Sequence, residues 1–294
     1  MIALVTGGTG LVGRYIVEAL LDAGYDVVTA GRTPPAENLF PKTVEFRPIR
    51  LDPNENHSDL FAGIDVFIHA AFQHLPGRYR GGEGDDPNHF RRSNLDGSIR
   101  LFETARDQGV QRVVFLSSRA VYDGVAPDTP LTENLDLQPT SLYGEIKLLG
   151  EHALASLNSP VFTTSSLRLT GVYGELRPNK WDSLFADFLA GREIPVRAGS
   201  EVHGRDVGLA VRLMLETEPD KIGGQAFNVS DLVADTNEIL APLHHHMSDA
   251  PALPPSADKA ELAEMETGKI RALGWQPGGR KLFEQTLERL VLET

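Results

Sequence analysis

The 294-residue chain contains no cysteine, which removes disulfides, thiolate metal sites and thiol catalysis and makes a reducing compartment the default. It is also short of cations: 28 lysines and arginines face 41 aspartates and glutamates, a formal net charge of −13. No basic run offsets that balance, so general attraction to nucleic acid or to an anionic membrane is disfavoured and a small-molecule ligand steered by local groups is expected. No apolar stretch approaches the roughly 20 residues of a spanning helix, and the first residues lack the basic region, apolar segment and cleavage site of a secretory leader. A cytoplasmic protein is therefore expected. What is present, 41% hydrophobic residues over this length, suffices for one large core or two joined units.

Met1 to Val5 is a short β-type run that stops at Thr6-Gly7-Gly8-Thr9-Gly10-Leu11-Val12-Gly13. From Leu11, apolar residues at 11, 12, 15, 16, 19, 20 and 23 recur at intervals of three and four until Gly24, which predicts an amphipathic helix with a glycine C-terminal stop. Asp26 to Ala30 supplies a second strand, so the unit is strand, glycine turn, helix, parallel strand. Glycines let backbone approach a ligand without a Cβ in the way, and the helix N-terminus offers unpaired N–H groups to a pyrophosphate. This context predicts a dinucleotide site built from Gly7, Thr9, Gly10, Leu11, Val12 and Gly13.

TGGTGLVG matches every fixed position of TGxxGxxG, and here the sequence resembles the extended short-chain dehydrogenase/reductase family, of the NAD-dependent epimerase/dehydratase type. The resemblance implies an α/β fold, a doubly wound parallel (Rossmann) sheet with a smaller C-terminal substrate-binding subdomain. The expected division is 1–170 for the dinucleotide-binding domain and 171–294 mainly for the substrate, with some segments returning to the sheet. The second strand ends in Gly31-Arg32 rather than in the carboxylate that accepts hydrogen bonds from an NAD ribose, which favours NADP, with NAD as the alternative. By the resemblance, Asp52 at the end of the third strand-like run, Val44 to Leu51, meets the adenine, although Pro53 departs from the usual aliphatic residue. Ala70 and Ala71, closing the strand Val66 to Ala71, flank the nicotinamide side. His69 reads as a core histidine.

Ser141 to Leu157 is helical in periodicity and contains Tyr143-Gly144-Glu145-Ile146-Lys147, which places a phenol and an amine one turn apart on one face. A phenol of pKa near ~10 is a poor base at neutral pH unless neighbouring positive charge stabilises its anion. Tyr143 is the expected acid/base and Lys147 the group that tunes it, both also against the cofactor. A strand Arg112 to Ser118 ends in two hydroxyls, and the family pattern puts the catalytic one at Ser118. Asn94 of Asn94-Leu95-Asp96-Gly97, in a helix expected over Phe90 to Gln108, matches the family's fourth polar residue, which would hold a water between Lys147 and solvent. Together these residues imply hydride transfer at a secondary hydroxyl or ketone of a sugar-like substrate, as an oxidoreductase or an epimerase.

Two departures bear on the substrate. Nucleotide-sugar epimerases and dehydratases carry an Asn where this chain has Gly171, and an Arg where alignment on Val202-His203 gives Gly199, so two phosphates would lose their usual partners. Arg197 is a shifted substitute, and the segment from Ile194 to Glu201 is shorter than usual. A polyol, sugar acid or hydroxyketone competes with the nucleotide sugar. Thr170 and Ser118 are candidate substrate contacts. The stretch Phe72 to His89 is expected to be a loop closing over the substrate, with His74, Arg78 or Arg80 meeting an anionic group. A helix from Trp181 to Ala190 is expected in the lid. His244-His245-His246 reads as a solvated loop, and no metal site is expected. A non-catalytic dinucleotide-sensing regulator is the alternative of another class, and retention of the Tyr argues against it. The resemblance also implies a homodimer through the Tyr143 helix and its predecessor.

Overall fold

The computed structural model describes residues 1–75, 81–126, 129–177, 179–260 and 262–293. In chain order the elements are β1 (Ile2–Thr6), α1 (Leu11–Asp22), β2 (Asp26–Gly31), β3 (Glu45–Pro48), β4 (Val66–His69), α2 (Pro87–Arg91), α3 (Gly97–Asp107) and β5 (Arg112–Ser118). There follow α4 (Leu142–Ser156), β6 (Thr163–Leu169), β7 (Gly171–Tyr173), α5 (Asp182–Leu189), β8 (Ala198–His203), α6 (Gly204–Glu216) and α7 (Pro219–Ile222). The chain ends with β9 (Gln225–Val229), β10 (Leu232–Asp235), α8 (Thr236–His246), α9 (Gly268–Arg271) and α10 (Gly279–Leu292).

Seven strands form one parallel sheet in the order β3-β2-β1-β4-β5-β6-β9. The chain winds outward from β1 in one direction and from β4 in the other, so strand order reverses between them and opens a crevice at their C-terminal ends. Alternation along the strands fills both faces. Ala3 and Val5 meet Ile16, Val17 and Leu20 of α1 and Val207 and Val211 of α6. Leu4 and Phe67 point the other way, into a core with Phe102, Phe115 and Leu154. Each large side chain so buried contributes roughly 1.5–3 kcal/mol. The expected doubly wound α/β fold is the observed one.

A second sheet, β10-β8-β7, lies beyond β6. Its own core joins Tyr173, Trp181, Phe185, Leu240, Phe283 and Leu287, from β7, α5, α8 and α10. The 181–190 segment is thus helical as expected, but its apolar face is packed into this core.

Four local differences from the expected elements have physical causes. The third strand is only Glu45–Pro48, because after Ile49 N makes a last bond to Gly31 O (2.9 Å) the backbone turns, with Asp52 N closing onto Arg50 O (3.0 Å). The stretch from Phe72 to His89 is not loop throughout, since α2 begins at Pro87 with the Asp86 carboxylate accepting from His89 N. The expected continuous helix after Phe90 contains a π-turn at Arg92–Asp96. There the Asn94 amide turns back to Phe90 O at 3.0 Å, while Ser98 Oγ donates to Asn94 O at 2.5 Å. Finally, His244, His245 and His246 form the last turn of α8 rather than a loop. A capping box of Asp235 and Glu238 starts that helix, and buried Ile239, Leu240 and Leu243 hold it despite Pro242.

His69 is fully buried. Its Nε2 donates to Ser98 Oγ (2.8 Å), whose own proton is spent on Asn94, and its Nδ1 accepts from Thr6 Oγ1 (2.7 Å). Burial pushes its pKa down to about 3, so it is a neutral structural group.

Candidate active site

The glycine turn is dictated by packing before any ligand is considered. Gly7 has φ 73°, and a Cβ there would lie 2.7 Å from Ala71 N. A Cβ on Gly13 would overlap Gly7 O. Gly10 caps α1 without a side chain, and the first turn of that helix carries no acidic residue, so its N–H groups face the crevice unscreened.

A single cleft of about 1110 Å³ runs along the C-terminal edge of the large sheet and past β7 and β8. This volume exceeds that of a pocket for one drug-sized molecule and suits a dinucleotide with a second ligand. The cleft is lined by Gly7, Thr9, Gly10, Leu11, Val12, Gly13, Arg32, Asp52, Ala70 and Ala71 at one end. Ser118, Tyr143, Lys147, Thr170 and His74 line it as well. Of the residues chosen from sequence, Asn94 is not brought to the cleft wall, and Arg78 and Arg80 lie outside the described residues.

Tyr143 and Lys147 sit on α4, which starts at Ser141, whose side chain accepts from Gly144 N at 3.1 Å. Lys147 Nζ is buried and donates to Leu116 O at 2.7 Å. It lies 4.6 Å from the ring centroid of Phe72, 4.7 Å from that of Phe115 and 5.9 Å from that of Tyr143. Burial pushes its pKa down to about 7, and the Glu151 carboxylate opposes that shift. Phe72 also packs edge-on against Tyr143, with centroids 5.1 Å apart. Asn94 holds this aromatic wall indirectly: its Oδ1 accepts from Gln73 N (2.6 Å) and its Nδ2 donates to Gln73 O (2.8 Å).

Ser118 ends β5, and its Oγ accepts from Ala120 N at 3.2 Å, which leaves the hydroxyl proton to donate into the cleft. Beneath it runs a buried polar network. Ser117 donates to Glu151, and Arg168 forks onto the same carboxylate at 2.7 and 3.1 Å. Arg168 also donates to Tyr122 Oη (2.7 Å), which donates to Asn228 (2.8 Å). With both Arg168 and Glu151 about 5% exposed, this pair ties α4 to β6, and through Ser117 to the end of β5 that carries Ser118.

Sequence reasoning missed several cleft residues. Arg92, on the π-turn, approaches Asp52 at 3.9 Å. Lys180, Ser200 and Leu262 line the other end. None stands in a recognisable motif; they converge only through tertiary packing.

The family model for the NAD dependent epimerase/dehydratase family matches residues 3–230. A UDP-glucose 4-epimerase of Mycolicibacterium smegmatis is 30% identical over 94% of this chain and 94% of that protein. A putative UDP-glucose 4-epimerase of Methanocaldococcus jannaschii is 30% identical over 69% of this chain and 68% of its own length. Other curated relatives are matched over about half of theirs. Among solved structures, the Thermus thermophilus UDP-glucose 4-epimerase complex with NAD superposes with a TM-score of 0.77 at 25% identity, covering 99% of this chain and 98% of that one.

Proposed function

The chain belongs to the NAD dependent epimerase/dehydratase family, so it is an oxidoreductase or epimerase of the extended short-chain dehydrogenase/reductase type. From that membership we propose that Tyr143, Lys147 and Ser118 carry the chemistry on a secondary hydroxyl or ketone of a sugar-like substrate. The observation that carries this reading is that the three side chains line the same cleft as the Gly7–Gly13 turn.

The cleft fits a nicotinamide dinucleotide, since the Gly7 and Gly13 positions have no room for a Cβ and the α1 N-terminus faces it unscreened. Residues of the turn, with Ala70, Ala71, Arg32 and Asp52, would hold it. When bound, that group supplies the acceptor and donor of hydride. Tyr143 takes the proton from the substrate hydroxyl in oxidation and returns it in reduction. Ser118 Oγ donates to the same oxygen as charge develops there. The Lys147 ammonium favours the phenolate, and Phe72 and Phe115 shield it from water. Asn94 acts through Gln73, by keeping Phe72 in place.

For the cofactor, Arg32 and the absence of a carboxylate at Gly31 support a preference for NADP within this NAD-dependent family. Arg32→Asp is expected to weaken NADP binding at least tenfold relative to NAD. Equal loss for both dinucleotides removes the assignment. The division at residue 170 is retained as a working boundary, with α6 and β9 returning to the larger sheet. Purification, identification of any bound dinucleotide and a turnover screen over sugars, sugar acids and nucleotide sugars test the function. Tight cofactor retention without net reduction indicates an epimerase, turnover with added cofactor a dehydrogenase, and binding without turnover a dinucleotide-sensing regulator.

A further inference from the structure

β7 and β8 bring a second set of polar groups to the far end of the cleft, and their arrangement bears on what part of a substrate sits there. Gly171 pairs directly with Glu201 across these strands. A Cβ at Gly171 would lie 2.5 Å from Lys180 Nζ and 2.6 Å from a Glu201 carboxylate oxygen. The volume of the missing side chain is therefore occupied by an ion pair. Lys180 Nζ donates to both Glu201 oxygens, at 2.7 and 2.5 Å. Glu201 is only 8% exposed, whereas Lys180 reaches the cleft wall. On either side stand Thr170 and Ser200, each 8% exposed and each lining the cleft. Both hydroxyl oxygens are buried and have no hydrogen-bond partner among the described residues.

Buried polar atoms without partners are unfavourable by roughly 1–3 kcal/mol each, so two cleft-lining residues with unsatisfied hydroxyls are suited to a ligand that can both donate and accept. Lys180 retains one ammonium hydrogen beyond the two given to Glu201. The pair as a whole is neutral, which leaves Arg197, on the same stretch of cleft wall, as the cation here, a single charge that suits one carboxylate better than two phosphates. We propose that Thr170, Lys180 and Ser200, with Glu201 fixing Lys180, form a subsite for the hydroxyl-rich body of a free sugar rather than for the diphosphate of a nucleotide sugar. This rests on the proposed function and assigns the substrate class to that same site.

The test titrates the dinucleotide-loaded protein calorimetrically with aldohexoses, hexuronates, UDP and UDP-glucose. Binding of a free hexose or hexuronate, with no heat from UDP, is expected, and comparing the two sugar classes shows whether a carboxylate contributes. Saturable binding of UDP, or failure of every free sugar to bind, overturns the subsite. With a free sugar that turns over, Thr170→Val and Ser200→Ala are each expected to raise KM roughly tenfold, the worth of about one hydrogen bond, with kcat retained. Unchanged KM in both variants also overturns it. The parent reading fails separately, by absence of dinucleotide binding or of any turnover; turnover of UDP-glucose alone keeps that reading and removes this one.

Discussion

Burial holds the Lys147 amine down to about 7, against 10.5 for a free lysine. Between those values the unfolded chain binds more protons than the folded one, so this group destabilises the cofactor-free fold fully below pH 7 and less as pH rises toward 10.5. Each pKa unit corresponds to ~1.4 kcal/mol, partly offset by the hydrogen bond to Leu116 O. Lys147→Met should therefore make the cofactor-free protein more stable at pH 7 while abolishing turnover, with the stability gain shrinking as pH approaches 10.5. Urea denaturation of both proteins across pH checks this. A variant less stable at every pH would contradict the buried-ammonium account. That Tyr143 and Lys147 share a helix face was legible in sequence because a four-residue spacing on a helix is a local fact, whereas their place in the cleft was readable only from the order of the motifs around them. The Lys180–Glu201 pair was not legible, because it depends on the turn before α5 meeting β8 across 21 residues of chain.

At the scale of elements, the turn between β1 and α1 carries the most information per residue. Its glycines are fixed by contacts with Ala71 and with the turn itself, so the motif and the packing are one constraint. Gly7→Ala would force a side chain into left-handed backbone, about 1–2 kcal/mol unfavourable, and against Ala71 N. Fluorescence titration should show dinucleotide affinity reduced tenfold or more; unchanged affinity would mean that the turn does not form the cofactor cradle. The parallel pairing of β1 with β2 followed from the same motif, since a strand, turn, helix, strand unit admits one handedness. The π-turn at Arg92–Asp96 was illegible. It arises from the Asn94 side chain reaching Gln73 and Phe90, contacts that helical periodicity does not report. Likewise α8 ran into the histidine triplet because its capping box and buried face outweighed Pro242.

Across the whole molecule, a net charge of −13 coexists with a cleft for a polyanionic dinucleotide. The proposed attraction is therefore local, from the α1 N-terminus and from cations that line the cleft, Arg32 and Arg92 among them. Among the described residues no helix is long and apolar enough to cross a membrane. The proposed homodimer would use the half-buried apolar residues Ile99 on α3 and Leu142 and Leu149 on α4. Sedimentation at micromolar concentration should give twice the 32.1 kDa chain mass, and a single-chain mass would dismiss it. The central claim is that the cleft performs proton and hydride transfer through Tyr143. Its most direct test is steady-state turnover of Tyr143→Phe beside the parent protein, with dinucleotide binding measured on both. Turnover at least a hundredfold lower, in the range of a lost general acid/base, is expected, with cofactor affinity retained. Undiminished turnover by the phenylalanine variant would contradict it.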